Sequence, residues 1–341
     1  MERRSFLRGS SFLAASLLLP QGLSAQSRIV NNVDALNLLE DKPLRSIAFG
    51  SCNKSKHDQS YWSLIGRDQP DLWVWMGDNI YADRTSLNQR KNLYDELKAH
   101  PLYQDFRGKT PIIGTWDDHD FGSNNSTELY WNREQSQALF ADFIDLPQNA
   151  LARQQDGVYQ TFSFGPVGQR TQIILLDLRY NMNRSKVEKE ILGEAQFRWF
   201  EETLAASTAD LVIVGSSLAV TSNVAMLGLE GWHEFGADRL RLYDALSKTD
   251  KPLLILSGDR HYGEIYRTIL PSGKIIHEAM ASGLTHVSPI GLPHPDKISS
   301  TVTKKHYGLL QIDWSGSIPS VNVQLKSAER FAVLTEARTQ F

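Results

Sequence analysis

The sequence predicts an α/β fold built on a mostly parallel sheet. Two observations carry that expectation: short apolar runs rich in β-branched and aromatic residues alternate with amphipathic helical stretches, and chemically active side chains directly follow several of those runs. With 341 residues, 41% of them hydrophobic and 10% aromatic, the chain suits one large globular unit or two small ones rather than a disordered protein. The absence of an internal repeat, a low-complexity tract or a long charge run favours one compact body over residues 26–341.

Residues 1–25 are set apart from that body. Arg3-Arg4-Ser5-Phe6-Leu7 precedes an apolar stretch from Phe12 to Leu19 and a small-residue Leu23-Ser24-Ala25 end, the pattern of a cleaved twin-arginine export signal. A membrane span needs about 20 apolar residues, and this stretch is broken by Pro20 and Gly22. The expectation is therefore a periplasmic or secreted protein that engages the twin-arginine export machinery and has no stable membrane span. Loss of the signal takes the formal charge from −3 to −5 by removing Arg3, Arg4, Arg8 and Glu2, which argues against a nucleic-acid-binding patch. The single cysteine, Cys52, cannot form an intramolecular disulfide.

The strands are expected at residues 45–50, 72–76, 111–116, 173–177, 211–215 and 253–257, each a short apolar run. Helices are expected at about 59–68, 86–99, 133–144, 194–206 and 237–247; the fourth carries Phe197, Phe200 and Leu204 at the spacing of one buried face. Alternating segments after residue 266, at 267–270, 308–314 and 320–325, read as antiparallel strands completing a second sheet. Residues 286–305, with three prolines, read as a surface loop that overhangs a site.

Ligands of open α/β sheets bind outside the carboxyl ends of the strands, so polar residues there carry functional weight. The first strand runs into Ser51-Cys52-Asn53, the second into Gly77-Asp78-Asn79-Ile80-Tyr81, the third into Asp117-Asp118-His119-Asp120 and the last into Gly258-Asp259-Arg260-His261. Taken alone, Asp78 also suits a helix cap or turn, and Cys52 also suits core filling. Three carboxylates and an imidazole in four residues repel one another unless a cation or divergent loop geometry relieves them. Arg260 reads either as a phosphate-binding fork or as the partner of Glu264. Carboxylates, imidazoles, a phenol and a thiol together suit a hard Lewis-acidic ion with ferric character beside calcium or zinc. Two such ions can hold a hydroxide for in-line attack on phosphorus.

Phe49-Gly50-Ser51-Cys52, Gly77-Asp78-Asn79-Ile80-Tyr81-Ala82-Asp83, Trp116-Asp117-Asp118-His119-Asp120, Leu176-Asp177-Leu178-Arg179, Leu192-Gly193-Glu194-Ala195-Gln196-Phe197, Gly215-Ser216-Ser217 and Ser257-Gly258-Asp259-Arg260-His261 resemble, in the same order, motifs of the alkaline phosphatase D (PhoD-like) family. The resemblance implies a calcineurin-like metallophosphatase fold, a four-layer α/β/β/α sandwich, and hydrolysis of phosphate esters with a metal-held hydroxide as nucleophile. It implies metal ligation by Cys52, Asp78, Tyr81, Asp118, Asp259 and His261, with Asp78 bridging and Tyr81 and Cys52 on iron. His119 then assists the leaving group and Arg260 faces the substrate. The implied ions are Fe3+ with Ca2+, with Zn2+ or Mn2+ as substitutes. Arg179 either reaches the site or braces Asp177. Asn124 and Asn125 are open between oxygen ligands and turn residues, and His286, His277 and His233 are looser candidates. A dedicated phosphodiesterase or phospholipase-D-like enzyme is the alternative activity, and a non-catalytic metal- or phosphate-binding protein the alternative class.

Overall fold

The computed structural model describes residues 32–185, 187, 189–222, 229–291, 293–339 and 341; the expected export signal at 1–25 lies outside the described residues. In chain order the principal elements are α1 (Asn32–Asn37), β1 (Ser46–Gly50), α2 (Tyr61–Arg67), β2 (Leu72–Met76), α3 (Leu87–Ala99), α4 (Pro101–Arg107), β3 (Ile112–Thr115), α5 (Asp118–Phe121), α6 (Arg133–Phe143), β4 (Gln160–Phe164), β5 (Thr171–Leu175), α7 (Gly193–Ala205), β6 (Leu211–Gly215), α8 (Gly236–Ser247), β7 (Leu253–Ser257), β8 (Gly263–Ile269), β9 (Ile275–Ala281), β10 (His306–Asp313), β11 (Ser320–Ser327) and β12 (Val333–Arg338).

The strands form two six-stranded sheets, ordered β12-β11-β10-β1-β2-β3 and β4-β5-β6-β7-β9-β8. Strands β1, β2 and β3 are parallel to one another, as are β5, β6, β7 and β9. Side-chain alternation assigns the layers. In the first sheet Phe49, Val74 and Ile113 turn inward to meet Ile173, Ile213 and Leu254 of the second. Their neighbours Trp73, Trp75 and Ile112 turn outward onto Trp62 of α2, Tyr103 and Phe106 of α4 and Phe140 of α6. On the far side Val212, Val214 and Ile255 pack against Phe197 and Phe200 of α7 and Leu242 and Leu246 of α8. Strands buried on both faces read as continuous apolar runs, which is why these were visible in the sequence. The result is the expected α/β/β/α sandwich.

Two expectations need correction. The late antiparallel strands do not form a separate sheet: β8 and β9 extend the second sheet, whereas β10, β11 and β12 extend the first. Residues 286–305 are only in part a loop over a site: Ser288 N–H donates to the His261 carbonyl at 2.6 Å, whereas further along Lys297 bridges to Tyr266 and Val302 to Gly263 on the exposed edge of β8. Strands β4 and β12 were missed because their burial is partial and their sequences polar, and α4 because His100-Pro101 reads as a helix stop although Pro101 opens a new helix.

Two glycines let the loops at the strand ends converge. A Cβ on Gly77, whose φ is 90°, would lie 2.6 Å from Asp117 Cβ, and one on Gly258 would lie 2.6 Å from Ser51 Oγ. Backbone bonds then fix the loops there: Ser51 N–H donates across the sheets to the Ala281 carbonyl at 3.1 Å, and Asn53 N–H joins the segments after β1 and β2 by donating to the Asp78 carbonyl at 2.8 Å.

Candidate metal centre

The polar clusters meet at the edge where the carboxyl ends of β1, β2, β3, β7 and β9 come together. Four of the expected ligands leave their strands through left-handed backbone: Cys52 (φ 63°), Asp78 (φ 51°), Asp259 (φ 69°) and His261 (φ 59°). Only eight described non-glycine residues have positive φ, so half of them are candidate ligands. This conformation costs a non-glycine residue energy and persists where surrounding contacts hold it, which happens preferentially at functional sites.

Two groups of donor atoms result, and they share one residue. Ligand atoms of Cys52, Asp78 and His261 all lie within 4.8 Å of one another, as do those of Asp78, Asp118 and His119. Cys52 Sγ is 3.5 Å from Asp78 Oδ2 and 3.1 Å from Ser282 Oγ. The Tyr81 hydroxyl lies 3.1 Å from Asp78 Oδ2, 3.1 Å from His261 Nε2 and 3.0 Å from His286 Nε2. Asp78 therefore stands between the two groups, and Tyr81 joins the first.

The electrostatics are those of an anionic cluster in a dry setting. Burial first, then Cys52 and Asp118, hold the Asp78 carboxyl well above its ordinary range. Burial pushes the Cys52 thiol up to about 11 and raises the Tyr81 phenol, with Asp78 adding to the latter. Burial and then Asp117 and Glu230 raise Asp259. Burial lowers His261, and lowers His286 to about 3. Without a cation these groups would stay protonated acids and neutral imidazoles; a bound cation inverts that preference. A metal fits the residues present on two counts. Asp78 Oδ1 is buried with no hydrogen-bond partner. Asp78 Oδ2, His261 Nε2 and His286 Nε2, each an atom type that ligates metal, converge within 3.1 Å of the Tyr81 hydroxyl.

The acidic run divides by role. Asp120 is structural: its Oδ2 accepts from the N–H groups of Asn79 at 3.0 Å and Asp117 at 3.1 Å, and its Oδ1 from the Tyr94 hydroxyl at 2.9 Å. Asp117 accepts from Arg179 Nε and from Ser217 Oγ at 2.9 Å, while burial pushes its carboxyl up to about 7 against the pull of Arg179. Asp118 and His119 are the members that reach the donor groups. Buried Arg90 of α3 fixes this turn by donating to the carbonyls of Asp120 at 2.9 Å and Gly122 at 2.7 Å. His119 Nδ1 lies 2.7 Å from Asp83 Oδ2. Burial works against protonation of His119, but Asp83 and Asp118 outweigh it and keep its pKa above the ordinary value.

Several residues fall differently from expectation. Asp259 lies outside both donor groups, and its nearest charged partner is Arg260, with Nε 3.8 Å from Oδ2. The Arg260 guanidinium is buried and all three of its nitrogens lack a hydrogen-bond partner, so the alternative pairing with Glu264 is not made; Glu264 instead takes Lys297 Nζ at 3.0 Å. Nη2 of Arg260 and Nδ1 of His233 both lie 2.9 Å from the point where Gly231 would carry a Cβ. Arg179 does more than brace Asp177: its guanidinium ties Asp117 to Glu230, the latter at 2.7 Å, and only its backbone N–H serves Asp177. Asn124 and Asn125 are turn residues whose N–H groups donate to Asp83 at 2.7 Å and Asp118 at 2.5 Å while their side chains face solvent. His277 is buried near the start of β9, at the opposite end of the sheet. His286 is the site residue that sequence reasoning held only loosely: the turn after β9 brings its ring centroid to 4.4 Å from that of His261. Asp83 was quoted only as part of a motif, and its position two residues beyond Tyr81 was the available signal.

Comparison with known proteins agrees with this architecture. A family model described as PhoD-like phosphatase matches residues 47–308. The chain matches no curated protein sequence. Among solved structures it is similar to that of PhoD, with a TM-score of 0.71 and 16% identity over 87% of this chain and 69% of the other. It is also similar to a purple acid phosphatase from yellow lupin (Lupinus luteus) seeds, with a TM-score of 0.62 and 12% identity over 86% of this chain and 53% of that one. A dimetal phosphatase from Danio rerio gives a TM-score of 0.55 and 12% identity over 86% of this chain and 99% of that one. At these identities the structures support the fold, and the family match, which spans most of the chain including all four ligand-bearing strand ends, supplies the rest: the chain belongs to the PhoD-like phosphatase family of metal-dependent phosphoester hydrolases.

Proposed function

We propose that the chain is an exported metallophosphoesterase that hydrolyses phosphate monoesters and diesters at a two-ion centre. The observation that carries this reading is the pair of donor groups sharing Asp78, whose second carboxylate oxygen is buried and unpartnered. Cys52, Tyr81, Asp78 and His261 would hold one ion, with Fe3+ suited to the thiolate and phenolate. Asp78 and Asp118 would hold the second, with Ca2+ first and Zn2+ or Mn2+ as substitutes. Asp259, 3.8 Å from Arg260, would serve as a further ligand. When bound, the metals supply Lewis acidity at the phosphoryl oxygens and lower the pKa of water.

The protein's own groups do the rest. His119, oriented through its Nδ1 by Asp83, keeps Nε2 for a proton passed to the leaving-group oxygen. Arg260 offers a buried guanidinium that has no hydrogen-bond partner and whose fork geometry suits a phosphoryl oxyanion. Arg179 holds Asp117 and Glu230 in place, so one buried cation offsets two buried carboxylates beside the site. Residues 26–341 act as one catalytic unit, and residues 1–25 direct export to the periplasm or beyond the cell.

The test is a pair of assays, p-nitrophenyl phosphate for monoesters and bis-p-nitrophenyl phosphate for diesters, on natively exported protein. Turnover of one or both that disappears on chelation and returns with added metal supports the reading. A protein that binds metal yet hydrolyses neither ester refutes it. Replacement of Arg3-Arg4 by Lys-Lys should retain precursor inside the cell, and undiminished export would remove the twin-arginine assignment.

A further inference from the structure

A cavity of about 440 Å³ opens beside the centre, between the segment after β1, the segment after β2 and one face of α3. That volume lies in the range of small-molecule sites. Its inner wall is Tyr81, whose hydroxyl contacts Asp78, His261 and His286. Its far wall is the stripe Gln89, Asn92 and Glu96 of α3, which helical spacing puts on one side. Lys54 and Lys56 complete the lining, and Lys54 Nζ stands 5.1 Å from the centroid of the Tyr81 ring.

The charge balance of this cavity is uneven. Two lysines face it against one carboxylate, Glu96, and among the described residues neither lysine forms an ion pair. Elsewhere many surface lysines are paired, as Lys91 is with Asp95 at 2.5 Å and Lys109 with Asp105 at 2.8 Å. Unpaired cations at the mouth of a cavity focus its field toward anions. The cavity shares Tyr81 with the centre, so a substrate whose phosphoryl group sits on the donor groups can extend its esterified group past that ring.

Resting on the phosphoesterase reading above, we infer that this cavity receives the leaving group of the ester, and that Lys54 and Lys56 select leaving groups bearing their own negative charge. The physiological substrate class is then a phosphate ester of an acidic alcohol or phenol, carrying a carboxylate or a second phosphate.

The experiment compares 4-carboxyphenyl phosphate with 4-carbamoylphenyl phosphate, which have the same shape and differ in charge. The kcat/KM ratio of charged to neutral ester is measured in the wild-type holoenzyme, in Lys54→Gln, in Lys56→Gln and in Glu96→Gln. Comparing ratios between proteins cancels the intrinsic leaving-group difference. Because Lys54 also lies over Tyr81, Lys56→Gln is the cleaner variant. The expected result is a ratio that falls on the order of 5-fold when the lysines are removed, falls with added salt and rises in Glu96→Gln. A ratio unchanged across all four proteins, with both esters hydrolysed, overturns the inference and leaves the phosphoesterase reading intact. A holoenzyme that hydrolyses neither of these esters but turns over p-nitrophenyl or bis-p-nitrophenyl phosphate overturns the inference alone, and one that hydrolyses none of the four overturns both.

Discussion

Asp78 is held at φ 51° with one carboxylate oxygen near Cys52 and Tyr81 and the other buried without a partner. Such a residue destabilises the apo fold and finds its compensation in a cation. Asp78→Asn should remove metal from both donor groups and lower turnover on the order of 100-fold or more, as elemental analysis and kcat together will show. Cys52→Ser should deplete one ion and abolish any visible charge-transfer band, with the Asp78–Asp118 group retained; unchanged metal content would return Cys52 to core packing. His277 tests the opposite property. Both of its ring nitrogens are buried without partners, and burial pushes its pKa down to about 4. His277→Leu should therefore raise stability by roughly 1 kcal/mol in denaturant unfolding, without changing kcat. At this scale the sequence was legible where a polar residue directly followed an apolar strand, as with Cys52, Asp78 and His261. Composition alone could not distinguish Asp118, which belongs to a donor group, from Asp120, whose oxygens are consumed by N–H and hydroxyl donors, because nearby carboxylates look alike until the turn is built; only the ordered motifs singled out Asp118.

The segments leaving the strands are fixed by contacts from distant parts of the chain. The first residue of β10, His306, is fully buried; its Nδ1 lies 2.8 Å from the Lys304 carbonyl and its Nε2 accepts the Ser282 N–H at 3.2 Å. Ser282 in turn meets Cys52 Sγ and accepts the His261 N–H at 2.8 Å. That pairing requires the neutral imidazole, and burial pushes the His306 pKa down to about 4. The folded pKa lies below the ordinary 6.5, so the unfolded chain binds the proton more tightly. The stability His306 protects is complete above pH 6.5 and is lost as pH falls toward 4, by about 3 kcal/mol at most. The difference in unfolding free energy between wild type and His306→Gln should accordingly shrink over that window, and a pH-independent difference would contradict this role. Helices α2, α3, α6, α7 and α8 were readable from periodicity, and strands β1, β2, β3, β5, β6 and β7 because burial on both faces leaves an uninterrupted apolar run; β9, also parallel, was not, since His277-Glu278 interrupts its apolar residues. The partners of β8 to β12 were not, since alternating strands specify a face but not which of two sheets they join.

Across the whole molecule the candidate centre lies on the seam between the sheets. Asp78, Asp118 and His119 come from the β1-β2-β3 side, whereas His261, Ser282 and His286 come from the β7-β9 side. Bound metal would therefore tie one half of the sandwich to the other and add stability in proportion to the logarithm of its excess over Kd. Chelation should lower Tm as well as rate, and a Tm indifferent to chelation would separate the centre from the fold. The sandwich was anticipated from ordered motifs rather than from periodicity alone; the placement of β10 beside β1 and the arrival of His286 at Tyr81 depend on contacts between residues more than 200 positions apart, Ser46 with Gln311 and Tyr81 with His286 among them. The most direct measurement is elemental analysis of the natively exported protein alongside its phosphatase activity, before and after chelation and in Asp78→Asn. Two ions per chain, lost together with activity in both treatments, is the predicted result; metal-free protein with undiminished activity would contradict it.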